Sequence, residues 1–127
     1  MKSLKNYSIL ILAAGRGSRL KKIGKKIPKC LIKLSNKTFL EILIDCLKKG
    51  GVKKINIVLG YKKELIINQL KKIKGINFNP IIIKNFSKHG HGMSWFSFKN
   101  NWLKEKKPLL IFHGDIIFDK KFLNNLI

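Results

Sequence analysis

Four short apolar runs punctuate this chain: YSILILAA, KINIVLG, INFNPIIIKN and PLLIFHGD. The first is β-branched and apolar on both of its alternating faces, the pattern of a buried parallel strand. Helical patterns lie between the runs. FLEILIDCLKKGG repeats apolar residues at helical spacing after Thr38, a candidate N-cap, and stops at Gly50-Gly51. KKELIINQLKKI predicts a second amphipathic helix, and SWFSFKNNWLKE a third with Trp95, Phe98 and Trp102 on one side. DKKFLNNLI begins another, with Asp119 as its candidate cap. Pro80 is read at the start of the third strand, and residues 15–37, rich in Gly and Lys around Pro28, as a long loop. Strands alternating with helices imply βαβ crossovers and a mostly parallel sheet covered on both faces. The expected fold is therefore α/β, a Rossmann-like three-layer α/β/α arrangement, with residues 1–127 forming one domain. Ligands of such sheets sit at the carboxyl ends of the strands. The loop beginning at Gly15 and the carboxylate of Asp115 both fall there.

Composition narrows the classes. The chain has 127 residues, 45% of them hydrophobic, enough for a core of its own. No apolar run approaches the length of a membrane span. The N-terminus imitates a signal peptide, but its uninterrupted apolar core, Ile9 to Ala14, is shorter than a signal h-region, and a buried first strand accounts for it. A cytoplasmic location is expected, and Cys30 and Cys46, without metal or redox spacing, read as two reduced thiols. A net charge of +22 invites a nucleic-acid reading. Yet the lysines are spread along a chain built from Lys, Ile and Asn, residues with AT-rich codons, rather than gathered into one stripe. Charge speaks to solubility and binding rather than fold, so neither nucleic acid nor membrane is an expected partner.

Against that background of lysine, the two arginines, Arg16 and Arg19, both fall in AAGRGSR, directly after the first strand. Backbone N–H groups of a Gly-rich turn in that place can cradle phosphate. A dinucleotide fingerprint would need glycine at position 20, which is Leu20, and a P-loop would need Gly-Lys-Ser/Thr at its end. The loop therefore binds phosphates or a base in another way, or is only a turn. Arg19 is followed ten residues later by Lys29, after Pro28. An arginine fork grips phosphate oxygens in pairs, whereas lysine is a point charge, so a site needing both explains an arginine among lysines. Arg16 reads as a solvent-exposed passenger. Of the six carboxylates, Glu41, Asp45, Glu64 and Glu105 lie on predicted helices and read as solvated faces. Asp115 alone is well placed for a metal, although Asp after Gly at a strand end equally suits a turn or cap.

LAAGRGSRL…PKCLIKL resembles the signature of the nucleotidyltransferases that make sugar nucleotides and CDP-alcohols. The likeness runs on through FLEILIDCLKKGGVKKINIVLGYKKELI, FNP and HGDIIFD, and looks most like the bacterial phosphocholine cytidylyltransferase branch. It implies a fold of the nucleotide-diphosphosugar-transferase type, incomplete here. It implies that Leu12, Ala13, Ala14, Gly15 and Gly17 line the loop holding the nucleotide. Arg19 would hold the β- and γ-phosphates, Lys29 the α-phosphate, and Asp115 would ligate Mg²⁺. The implied reaction joins a nucleoside triphosphate, CTP favoured, to a small phosphorylated acceptor such as phosphocholine or a sugar phosphate, with release of pyrophosphate. In-line phosphoryl chemistry asks chiefly for positioning and charge neutralisation, and Mg²⁺ takes hard oxygens, usually one or two from protein.

The pattern also departs from the family. In KNFSKHGHGMSWFSFKN, Ser94 or Ser97 stands for the family serine, while His89, His91 and Trp95 are unfamiliar there. His89 and His91 share a side if extended, but no third ligand is near for zinc. His113 reads as a packed or hydrogen-bonded histidine. Trp95 reads as core rather than as a face for a choline-like ammonium. Family members continue for roughly another hundred residues, with acceptor contacts and a second metal-binding Asp. A completing C-terminal segment or a homodimer is therefore an expected partner. Alternative readings are a sugar-1-phosphate uridylyl-, thymidylyl- or guanylyltransferase and a non-catalytic nucleotide-binding module.

Overall fold

The computed structural model describes residues 3–15, 21–84 and 91–126. Strand β1 (Ser8–Ala13) lies between β4 (Lys54–Leu59) and β6 (Leu109–His113), and β5 (Asn77–Ile82) pairs with the far side of β4. All three pairings are parallel, so the order across the sheet is β5-β4-β1-β6. The chain moves outward twice from β1, through β4 to β5, and then returns to the other side of β1 to lay down β6. In such sheets the reversal point, here the carboxyl ends of β1 and β6, is where a ligand crevice is expected.

Period-two alternation in β1 distributes its side chains to two cores. Ile9, Ile11 and Ala13 pack with Ile55, Ile57 and Leu59 of β4 against helices α2 (Phe39–Lys49), α3 (Lys63–Lys71) and α5 (Lys120–Leu126). Leu10, Leu12 and Ala14 face the other way, toward helix α4 (His91–Glu105), which contributes Trp95, Phe98 and Trp102. Trp95 and Trp102 meet at 5.5 Å between ring centroids, so Trp95 packs in this second core. Each fully buried Leu or Ile here contributes about 1.5–3 kcal/mol by leaving water. The result is the expected three-layer arrangement.

Three details differ from the sequence reading. Residues 21–38 are not loop: they form helix α1 (Lys21–Lys26), a 3₁₀ turn (Lys29–Leu31) and a small hairpin of β2 (Lys33–Leu34) and β3 (Lys37–Thr38). Lysine-rich stretches have adequate helix propensity, and the loop expectation overweighted Gly24 and Pro28. Pro80 is the fourth residue of β5, not its start. The amides of Asn77 and Ile83 donate to the Lys53 and Leu59 carbonyls of β4 and its approach, so even-numbered amides point away from β4. The missing N–H of Pro80 therefore falls on the open side of an edge strand, where it costs no ladder bond. Third, His91 is the first residue of α4 rather than part of an extended segment; His89 lies outside the described residues.

Several carboxylates expected on solvated faces have partners instead. Thr38 accepts from the Glu41 amide at 3.1 Å and Glu41 accepts from the Thr38 amide at 2.7 Å, a capping box at the start of α2. Asp45 pairs with Lys37. Glu105, at the end of α4, accepts from the Ser8 hydroxyl and from Lys54 Nζ at 3.1 Å, tying α4 to the amino ends of β1 and β4. Glu64 remains exposed. Asp119 accepts from the Phe122 amide at 2.8 Å and caps α5 as expected.

Two outcomes follow for stability. Thr38→Ala should cost about 1 kcal/mol, read from urea unfolding, because it orphans amides of the first turn of α2. For Glu105, partial burial works to raise the carboxyl pKa, but the Ser8 and Lys54 hydrogen bonds and the charges of Lys54 and Lys107 outweigh it and leave it below 4.5. A lowered folded pKa gives stability that is present above the unfolded value and lost as pH falls through the folded one. The stability gap between the protein and its Glu105→Gln variant should therefore be widest near neutrality and shrink as pH falls below the ordinary carboxylate range. A gap that is constant with pH would refute this.

Candidate functional site

The crevice between β1 and β6 is assembled by close backbone approach. After β6, the Gly114 amide donates to the Leu12 carbonyl at 3.0 Å, extending the parallel ladder past His113 to the end of β1. A Cβ on Gly114 would sit 3.1 Å from Cys30 Cβ, 3.3 Å from Ala13 Cβ and 3.4 Å from the Leu12 carbonyl oxygen. A side chain there would press on both segments, so glycine lets them come this near without displacement. Cys30 is the anchor of the opposing segment: it is buried in the first core, and burial pushes its thiol up to about 12, so it serves as a small apolar plug. Cys46 is half-buried.

Flanking that contact are two charged residues. Lys29 opens the 3₁₀ turn, one residue before Cys30, and Asp115 follows Gly114. Their charged groups meet, Lys29 Nζ to Asp115 Oδ2, at 2.5 Å, with the lysine side chain half exposed and the aspartate 27% exposed. Partial burial works to raise the Asp115 carboxyl pKa, yet the hydrogen bond and charge of Lys29, a backbone hydrogen bond and the charge of His113 prevail and hold it below its ordinary value. Asp115 is thus an ionised carboxylate at neutral pH. His113 is half-buried in register with Leu12.

On the β1 side, Ala13 and Ala14 are buried and Leu12 is half-buried. Gly15 is exposed, its backbone needs no left-handed conformation, and a Cβ there would meet nothing within 4 Å. Among the described residues, neither packing nor backbone strain explains glycine at this position. The bare backbone leaves room in front of β1, where a ligand can approach main-chain groups. Arg16, Gly17 and Arg19 lie outside the described residues, as do the side chains of His91 and Ser94. Lys29, Asp115, Leu12, Ala13, Ala14 and Gly15 gather at one end of the sheet; Trp95 lies in the second core.

Among the described residues, no group of three or more His, Cys, Asp or Glu side chains could hold a metal ion. Asp115 therefore offers one hard carboxylate beside a cation. That chemistry suits an ion carried in with phosphates, not a cage built from protein alone. No helix among the described residues is long and apolar enough to cross a membrane. Sequence reasoning missed Gly114 and Cys30, which set the distance between Lys29 and Asp115; the GD pair at the end of an apolar run was their one visible signal.

The chain matches the nucleotidyl transferase family over residues 8–127. It is 34% identical over 121 residues to the CTP:phosphoglutamine cytidylyltransferase of Campylobacter jejuni, covering 93% of this chain and 47% of that protein. A D-glycero-alpha-D-manno-heptose 1-phosphate guanylyltransferase of the same organism is 33% identical, over 87% of this chain and 48% of its own length. Among solved structures, the CTP:phosphocholine cytidylyltransferase of Streptococcus pneumoniae superposes with a TM-score of 0.78 at 28% identity, covering 96% of this chain and 51% of that one. The chain spans about half the length of these relatives. Extending across almost all of the strands and helices that build the crevice, the match makes this chain a member of the nucleotidyl transferase family.

Proposed function

We propose that residues 1–127 form a nucleotide-binding domain that serves nucleotidyl transfer from a nucleoside triphosphate to a phosphomonoester, with CTP and a phosphorylated small alcohol or amide as the favoured pair. The observation that carries this reading is the Lys29–Asp115 pair beside the bare Gly15 backbone, at the reversal point of the sheet. Two cytidylyltransferases among the relatives support CTP. The heptose 1-phosphate guanylyltransferase favours a second reading, GTP with a sugar phosphate.

In the proposed reaction a phosphate oxygen of the acceptor attacks the α-phosphorus. The bond from that phosphorus to the bridging oxygen of the β-phosphate breaks, and pyrophosphate leaves. The chain's part is binding, alignment and charge. Backbone groups of residues 12–15 and 17 receive the nucleotide, Arg19 grips the β- and γ-phosphates through its fork, and Lys29 neutralises charge that builds on the α-phosphate. Asp115 would hold Mg²⁺, which when bound supplies further neutralisation of the phosphates. Because Lys29 and Asp115 already neutralise each other, nucleotide binding would turn Lys29 to a phosphate and leave the Asp115 carboxylate to hold the metal. Partly exposed ion pairs contribute little net stability, about 0–1 kcal/mol, so this exchange starts from a weak bond. A cytoplasmic location accords with the substrates proposed.

Calorimetric titration of CTP, UTP, GTP and dTTP with Mg²⁺ tests the reading. One nucleotide should bind saturably and better than the rest. Its affinity should fall about tenfold or more in Arg19→Ala and Lys29→Ala, the loss of a charge-assisted contact. Asp115→Asn should weaken binding with Mg²⁺ but not without it. Four nucleotides binding weakly and alike, indifferent to Arg19, would overturn the proposal. A steep salt dependence shared by all lysine variants would instead mark a nucleic-acid binder.

A further inference from the structure

Residues Tyr61 and Lys62, in the turn between β4 and α3, touch both ends of the segment that carries the glycine loop. The Tyr61 amide donates to the Ala14 carbonyl at 3.2 Å, at the point where the chain leaves β1. The next residue, Lys62, sends its ammonium group to the Lys25 and Lys26 carbonyls at 2.5 and 2.9 Å, at the last turn of α1. Two adjacent residues thus fasten the beginning and the end of residues 14–26 to the carboxyl end of β4.

Lysine is a poor local choice at position 62. Its backbone is left-handed, φ 48° and ψ 43°, a conformation that suits glycine or asparagine. It is also the N-cap of α3, where Ser, Thr, Asp, Asn and Gly are preferred, and its side chain makes no capping bond. Local physics at both levels asks for Gly or Asn. A residue that breaks the local rule, with its side chain spent on a contact some 36 positions away, carries strain that another gain must offset. The gain visible here is a cation satisfying two orphaned carbonyls at a helix C-terminus.

We infer that Lys62 is a positioning residue, a tether that fixes the last turn of α1, and with it Lys29 a few residues further on, against the carboxyl end of β4. This rests on the proposed nucleotide site for its consequence in binding. Lys62 acts on the site through α1.

The test compares Lys62→Gly with Lys62→Arg. Glycine relieves the left-handed strain and suits the N-cap, so Lys62→Gly should unfold at the same or a higher urea concentration than the parent protein. Its amides at Lys25 to Ile27 should nonetheless exchange with deuterium about tenfold faster, from the lost charged hydrogen bonds. Affinity for the preferred Mg²⁺–nucleotide should fall by a similar factor, and Lys62→Arg, which keeps a cation within reach, should restore both. A purely structural lysine would shift the unfolding midpoint and leave affinity alone. Lys62→Asn, tolerant of the left-handed backbone but too short to span the gap, repeats the test should the glycine variant fold poorly. Unchanged exchange in α1, or faster exchange with undiminished nucleotide affinity, overturns the inference. Exchange is read on the free protein, so it decides the tether even where no nucleotide binds the parent, a result that would sink the proposed function and not the tether.

Discussion

Everything in this molecule is referred to β1, a strand with hydrogen-bonded neighbours on both edges and packed helices on both faces. Ile9, Leu10 and Ile11 are at most 1% exposed. A backbone so deeply buried must have all its N–H and C=O groups paired, and parallel β4 and β6 satisfy them. Because parallel partners need crossovers, the helices are forced onto the faces, where they complete the burial. At its carboxyl end the strand runs through buried Ala14 to exposed Gly15, where the order of the sheet reverses.

The site inherits its precision from that rigid strand. Gly114 docks onto Leu12, Cys30 wedges against Gly114, and the charged residues adjoining those two, Asp115 and Lys29, are thereby delivered to each other. None of the packing atoms is charged, and neither charged side chain is fully buried. The division is physically sensible: close-packed apolar atoms resist displacement, while a solvent-accessible ion pair can be exchanged for a ligand at little cost. In a chain with a net charge of +22, the ionised Asp115 carboxylate is a local point of negative charge among lysines.

The same separation of labour extends to the glycine loop. Among the described residues nothing crowds Gly15, whereas Gly114 is pressed by two segments, the end of β1 and the turn that carries Cys30. Glycines look alike in a sequence, and only their surroundings distinguish room left for a ligand from room taken by the chain. Lys62 presents the converse case. Nothing in GYKKEL separates it from the other 25 lysines, and its left-handed backbone and reach to α1 emerge only once β4 and α1 are placed.

The sequence by itself determined the alternation of four buried strands with helices, the Thr38 and Asp119 caps, the side of α4 that bears Trp95, Phe98 and Trp102, and the residue types of the candidate site. These rest on periodicity, capping and side-chain chemistry, which act over a few residues and are written in neighbouring letters. Only the tertiary structure decided that residues 21–38 are ordered into a helix, a 3₁₀ turn and a hairpin, that Pro80 sits inside an edge strand, and that Glu105 ties α4 to β1 and β4 instead of facing water. It alone decided that Lys29 and Asp115, 86 positions apart in the chain, meet as an ion pair. Such contacts depend on which strand lies beside which and on how near two backbones come, and distances of that kind have no expression in local pattern.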